Sequence, residues 1–313
     1  MSRAEAQKTF LQVGFGGQGE AWAQCLRDSG ANVEIFFTGT EKTYSKAKQQ
    51  RFSVAMLSEL GASIERLFTL TTEPVPVLLL CPDDQIGSVY QEFLANLKIP
   101  LNLVIAHGYS VYSGALKPKL EHRLHLFAPK AIGPKIREAY ESSRFHSLKV
   151  AICKSNSPTS SDFISGLSDL LGFNSENRIE TDFETETIGD LISEQLLLCG
   201  GLFTLLETTV EAMESAGIPK ALIQEECYSE LKLVVDMIES YGLAHTLGKI
   251  SNAAKAGAGI TRSRLKPLLK DLAKDTVDGI LTKRFDDEYR EGKWKNSVLE
   301  QEAFFLAREE NSL

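Results

Sequence analysis

Thr9-Phe10-Leu11-Gln12-Val13-Gly14-Phe15-Gly16-Gly17-Gln18-Gly19 decides the fold of this chain. Five residues suited to a short strand run straight into glycines spaced GxGxxG, and residues 20 to 28 continue in a helix-compatible pattern. The spacing alone arises by accident in roughly one chain in eight of this glycine content, so the order strand, glycine turn, helix carries the weight. In that order the glycines permit a tight turn, and backbone N–H groups at a helix start can cradle a pyrophosphate. Gly14, Phe15, Gly16, Gly17, Gln18 and Gly19 therefore form a candidate dinucleotide site. The bland alternative is a glycine turn in an α/β protein that binds nothing.

Working outward, strand patterns recur at residues 32–37, 75–81, 102–106, 124–127 and 149–153, separated by helical or mixed segments. Such alternation predicts an α/β Rossmann-like, doubly wound parallel sheet over residues 1–182, with ligands beyond the carboxyl ends of the strands. Three segments fall there: Cys81-Pro82-Asp83-Asp84, Ala106-His107-Gly108 and Ala128-Pro129-Lys130. Pro82, Asp83 and Gly133 join the candidate cofactor contacts. The second strand ends in Phe37, not in an acid that would hold a ribose diol, and Thr38, Thr40, Lys42 and Thr43 follow it. Hydroxyl and ammonium groups at that place favour a 2′-phosphate, hence NADPH, with NADH the alternative. Glu34, within the strand, reads as structural.

The 313 residues carry a net charge of -8, which argues against a general nucleic-acid or anionic-membrane surface. Five scattered cysteines without CxxC spacing read as reduced core residues. The polar N-terminal residues lack a signal pattern and no uninterrupted apolar run reaches about 18 residues, so a cytoplasmic, non-membrane protein is expected.

From about residue 184 strand signals stop, and residues 183–313 read as an all-α domain. One helix is expected to run to about residue 215, another from about 219 to 240, and a third to begin after Ser251, a candidate N-cap. Gly200 and Gly201 fall inside the first helix, where close helix packing would explain them. The same region sets Asp190 four residues before Glu194, and Glu226 four before Glu230. Each pair projects from one helix face, which suits a divalent metal, although about five such pairs are expected by chance in so acidic a chain.

These segments together resemble the ketol-acid reductoisomerase family in its shorter form with a single helical domain. The resemblance rests on the glycine loop, Leu26-Arg27-Asp28-Ser29-Gly30, Ala106-His107-Gly108, Ala128-Pro129-Lys130, Glu184-Thr185-Glu186 with Asp190 to Gln195, Leu198-Cys199-Gly200-Gly201, Glu226 to Asp236 and Ile250-Ser251-Asn252. It implies a knotted helical domain and two Mg²⁺ ions held by Asp190, Glu194, Glu226 and Glu230, the last two usually from the partner subunit of a homodimer or larger homo-oligomer. Ser251 is implied to contact the substrate carboxylate, His107 and Lys130 to belong to the catalytic network, and Glu230 to handle the hydroxyl proton. The implied chemistry is alkyl migration in a 2-hydroxy-2-alkyl-3-oxo acid such as acetolactate, then NADPH reduction to a 2,3-dihydroxy acid, as in isoleucine and valine biosynthesis.

The sequence also departs from the family pattern. Phe37 stands where the cofactor loop often has arginine, and Ala131-Ile132 replace a usual glycine and proline. Ala253-Ala254-Lys255-Ala256 replaces an acidic, aromatic stretch, and the segment from Cys153 to Pro158 lacks usual acidic and glycine residues. Two other functions stay open: a 2-oxo or 3-hydroxy acid dehydrogenase without isomerase activity, and a non-catalytic dinucleotide-binding paralogue. His122, His125, His146 and His245 show no ligand spacing, and the basic run at residues 262–274 reads as a solvated helix face.

Overall fold

The computed structural model describes residues 1–37, 41–143, 148–153 and 160–292. The chain divides into two compact units, Met1–Thr187 and Ile188–Leu313, with the division inside a helix.

The first unit is built on one eight-stranded sheet in the order β3-β2-β1-β4-β5-β6-β7-β8. The strands are β1 Thr9–Val13, β2 Asn32–Phe37, β3 Ser53–Met56, β4 Val75–Leu79, β5 Leu101–Ile105, β6 His122–Pro129, β7 Val150–Cys153 and β8 Arg178–Glu180. All neighbours are parallel except β6 and β7. Strands β1 and β5 are buried at every position, as both faces of a parallel sheet require. Their alternate residues feed two separate cores: Leu11, Val13, Leu103 and Ile105 on one face, Phe10 and Val104 on the other. Trp22 and Phe127 meet edge-on at 5.1 Å within the second core.

Helices α1 Arg3–Ala6, α2 Gly17–Asp28, α3 Glu41–Gln49, α4 Leu60–Thr71, α5 Asp83–Val89, α6 Tyr109–Tyr112, α7 Gly133–Glu141 and α8 Ser160–Leu170 connect these strands. The strand order reverses between β1 and β4, the position at which doubly wound sheets bind ligands. Two strands escape the sequence pattern. The edge strand β3 has four residues and β8 three, too short for alternation to register.

Helix α9, Phe183–Ser193, carries the chain into the helical unit. There follow α10 Gly200–Ser215, α11 Lys220–Gln224, α12 Glu230–Tyr241, α13 Leu243–Lys249, α14 Asn252–Leu281 and α15 Arg284–Arg290. Both long helices expected from the sequence are interrupted by a π turn, at Glu194–Leu198 and at Glu225–Ser229. Gly200 and Gly201 lie against carbonyls of their own helix, which replaces the expected explanation by helix packing.

Candidate active site

The glycine loop divides its labour among its members. Gly14 has φ +95°, and a Cβ there would stand 2.6 Å from Leu80 O, so both backbone conformation and the adjacent β4 require glycine. At Gly19 a Cβ would lie 2.9 Å from Gly14 O, which seats α2 tightly on the turn. Gly16 and Gly17 meet nothing within 4 Å and are exposed, leaving room for a pyrophosphate to approach the backbone. Phe15 is buried edge-on to Phe52, so it offers a ligand backbone only.

Gln12 and Gly133, outside the motif, and Gln18 within it hold this turn in place. Gln12, fully buried in β1, donates from Nε2 to Gly14 O at 2.9 Å and to Gly19 O at 2.8 Å. Its role was unassigned from sequence, where an isolated glutamine in an apolar strand gives no signal beyond being out of pattern. Gln18 donates to Ala131 O at 2.9 Å and accepts from Trp22 Nε1 at 3.2 Å, making its side chain a strut inside the protein. Gly133 completes the brace: a Cβ there would fall 2.0 Å from Gly17 O, so α7 packs directly under the loop.

The ends of β4, β5 and β6 lie side by side next to this loop. His107 Nδ1 stands 3.9 Å from Asp83 Oδ2, and its ring stacks on Tyr109 at 6.4 Å. Lys130 Nζ donates to Glu186 Oε1 at 2.6 Å. The Glu186 side chain is 1% exposed, that of Lys130 36%, and Glu186 Oε2 is buried without a hydrogen-bond partner among the described residues. Gly108 lets α9 come this close, because a Cβ would lie 2.1 Å from Thr187 Oγ1 and 3.1 Å from Phe183 O. The partner of Glu186 is 56 residues away in sequence, so only the folded chain reveals the pair.

At the end of β2, Phe37 stacks edge-on to Tyr44 at 5.5 Å. Lys42 and Thr43 occupy the first turn of α3, whereas Thr38 and Thr40 lie outside the described residues. Glu34 pairs with Arg66 at 2.6 Å, in keeping with a structural role.

In the helical unit Asp190 is half-buried, while Glu194, Glu226 and Glu230 are exposed. Glu230's carboxyl, by hydrogen bond and then by charge, raises the pKa of Glu226 above the usual carboxylate value. The thiol of Cys199 is likewise raised, first by partial burial and then by Glu194 and Asp190. Each pair therefore concentrates negative charge, but among the described residues no group of three or more His, Cys, Asp or Glu in one chain could hold a metal ion. Ser251 caps α14, accepting from Ala254 N at 3.2 Å.

The NADPH-binding domain of acetohydroxy acid isomeroreductase matches residues 6–175, and the C-terminal domain of ketol-acid reductoisomerase matches residues 183–307. The chain belongs to the ketol-acid reductoisomerase family. Among solved structures it is similar to an NADH-preferring ketol-acid reductoisomerase from an uncultured archean, at 27% identity and TM-score 0.75, covering 99% of this chain and 91% of that one. Two more distant structures share the fold alone. One is a semialdehyde dehydrogenase NAD-binding protein from Cupriavidus necator in complex with calcium and NAD, at TM-score 0.62, 14% identity and coverage of 88% and 99%. The other is a pyrroline carboxylate reductase from Plasmodium falciparum with NADP bound, at TM-score 0.54, 13% identity and coverage of 87% and 97%.

Membership makes this chain an NAD(P)-dependent oxidoreductase and isomerase of a family that serves branched-chain amino acid biosynthesis. Burial pushes the Cys25 thiol up to about 11 and the Cys81 thiol up to about 12, so both stay protonated near neutral pH. The cysteines differ from the expected core set in one respect, since Cys199 is exposed and Cys153 half-buried.

Proposed function

We propose that this ketol-acid reductoisomerase converts a 2-hydroxy-2-alkyl-3-oxo acid of the acetolactate type to a 2,3-dihydroxy acid in a Mg²⁺-dependent reaction. The observation that carries the reading is the pair of carboxylate couples on consecutive helical segments of a family C-terminal domain. Their donors are all carboxylate oxygens, which is the chemistry Mg²⁺ takes, and the raised pKa of Glu226 marks like charges held together as a divalent cation would favour. Asp190, Glu194, Glu226 and Glu230 are the residues that would hold it. When bound, magnesium polarises the substrate oxygens and the dinucleotide supplies hydride.

The protein's own groups account for the rest. Glu230 takes the proton of the migrating centre's hydroxyl at its carboxylate. Lys130, anchored by Glu186, donates to a substrate oxygen and keeps a positive charge beside the strand ends. His107, held near Asp83, orients the same region, and Ser251 receives the substrate carboxylate alongside its capping bond. A second copy of the chain completes the acid set. The helical unit supports this, since Leu197, Phe203, Leu205, Leu233, Val235 and Leu268 are all more than half exposed, and grouped uncovered apolar side chains mark interaction surfaces. The helical run Phe183–Ser215 is apolar and long enough to cross a membrane, and Asp190 and Glu194 within it suit a subunit seam better than lipid.

NADPH is the proposed reductant, on Lys42 and Thr43 together with Thr38 and Thr40. NADH is the second reading, favoured by Phe37 and by the NADH-preferring relative. Assays of acetolactate with each nucleotide, with and without Mg²⁺, test both. Turnover should need Mg²⁺ and run faster with NADPH. Reduction of 3-hydroxy-3-methyl-2-oxobutanoate alone, without a metal requirement, would identify a simple dehydrogenase instead.

A further inference from the structure

A π turn adjoins each carboxylate pair, and the first is followed at once by Gly200-Gly201. In it Cys199 N donates to Glu194 O, five residues back, at 2.9 Å. A Cβ at Gly200 would stand 2.1 Å from Gln195 O, and one at Gly201 would stand 2.2 Å from Leu196 O. Both obstacles are backbone carbonyls, so no side chain can swing aside. Each of these carbonyls lies five residues back, the span that the wide turn closes, so the steric demand belongs to that turn.

A π turn holds one residue more than an α turn, so it absorbs that residue without changing the phase of the flanking helix. If it closed into α-helix, Asp190 and Glu194 would rotate by about 100° relative to α10. We propose that Gly200 and Gly201 are positioning residues: they license the wide turn Glu194–Leu198, and the turn sets the rotation at which Asp190 and Glu194 stand relative to α10. This deepens the reading of those acids as cation ligands and rests on it. Neither glycine touches the cation; each acts through the backbone path to Glu194.

Mn²⁺ binding by the full chain, followed by electron paramagnetic resonance, tests the idea, with dinucleotide affinity measured on the same samples. Gly201→Ala should weaken Mn²⁺ binding by about 10- to 100-fold, the usual effect of losing a group that orients metal ligands, and leave dinucleotide binding unchanged. Deleting the exposed Leu197 in the Gly201→Ala background removes the extra residue, restores the phase with plain α-helix, and should recover Mn²⁺ binding. That double change also decides the matter if Gly201→Ala alone does not fold. Unaltered Mn²⁺ affinity in Gly201→Ala overturns the proposal, as does a deletion variant that fails to fold or to bind. If the unsubstituted chain binds no Mn²⁺, the fault lies with the cation reading itself, a result distinct from either variant's failure.

Discussion

The glycine crevice of the first unit is braced from several sides, whereas the carboxylate pairs of the second form no group of three or more metal-ligating side chains among the described residues. Around the crevice Gln12, Gln18 and Gly133 brace the loop from three sides, and Glu186 gives Lys130 a buried partner. The acids of the helical unit are mostly exposed, lie beside exposed leucines and valines, and crowd their own kind. A dinucleotide site needs backbone shape, which local sequence and one sheet supply. A divalent cation needs several oxygens at once, and two pairs on separate helical segments supply them only when another surface brings them together.

The sharpest way to break this contrast is Asp190→Asn. It should lower turnover by about 10³-fold or more, several kcal/mol of charge stabilisation, while dinucleotide affinity stays as it was. Steady-state kinetics beside a fluorescence titration would show it, and equal loss of both would erase the distinction between the two sites. Gly133→Ala is its mirror image. The new Cβ displaces Gly17, and misplacement on the order of 1 Å costs about 10²-fold, here expected in dinucleotide affinity with Mn²⁺ binding intact.

Stability effects are next in size. Lys130→Met strands the Glu186 carboxylate and should cost about 2–3 kcal/mol in urea unfolding, below the figure for a fully buried pair because Lys130 is 36% exposed. A fully exposed variant such as Glu207→Gln should change little. Acid sensitivity comes from His125, fully buried 5.0 Å from Phe163 and with Nε2 3.3 Å from Asn102 Oδ1. Burial pushes its pKa down from 6.5 to about 4. The unfolded chain binds that proton first, so the first unit keeps its full stability above pH 6.5 and loses roughly 3 kcal/mol as the pH falls through 4. His125→Asn should flatten this limb of the stability profile; an unchanged limb would place the proton elsewhere.

The sheet and its glycine loop were legible from Thr9–Gly19 because the order strand, glycine turn, helix is local in sequence and a φ of +95° at Gly14 is a demand on that residue itself. The brace was not, because Gln18 and Glu186 act through partners 113 and 56 residues away and a lone glutamine in an apolar strand does not announce the bonds that Gln12 makes to the turn. The short β3 and β8, and the antiparallel direction of β7, escaped because alternation over three or four residues is too brief to register and carries no direction. The π turns stayed hidden for a related reason: a continuous apolar helix tolerates one surplus residue without losing its pattern, so Gly200 and Gly201 were explained by packing. Ser251 was seen both as a cap and as a substrate contact, and its bond to Ala254 N makes the first of these visible.

The central claim is that the acid set is shared between chains, and subunit complementation tests it most directly. Chains bearing Asp190→Asn and chains bearing Glu226→Gln with Glu230→Gln are each inactive alone under this account. Co-expressed at equal levels, half of the dimers are mixed and one site in each retains every acid, so about a quarter of the unsubstituted activity should return. Co-expressed chains as inactive as either parent would contradict a shared site and place all four acids within a single chain.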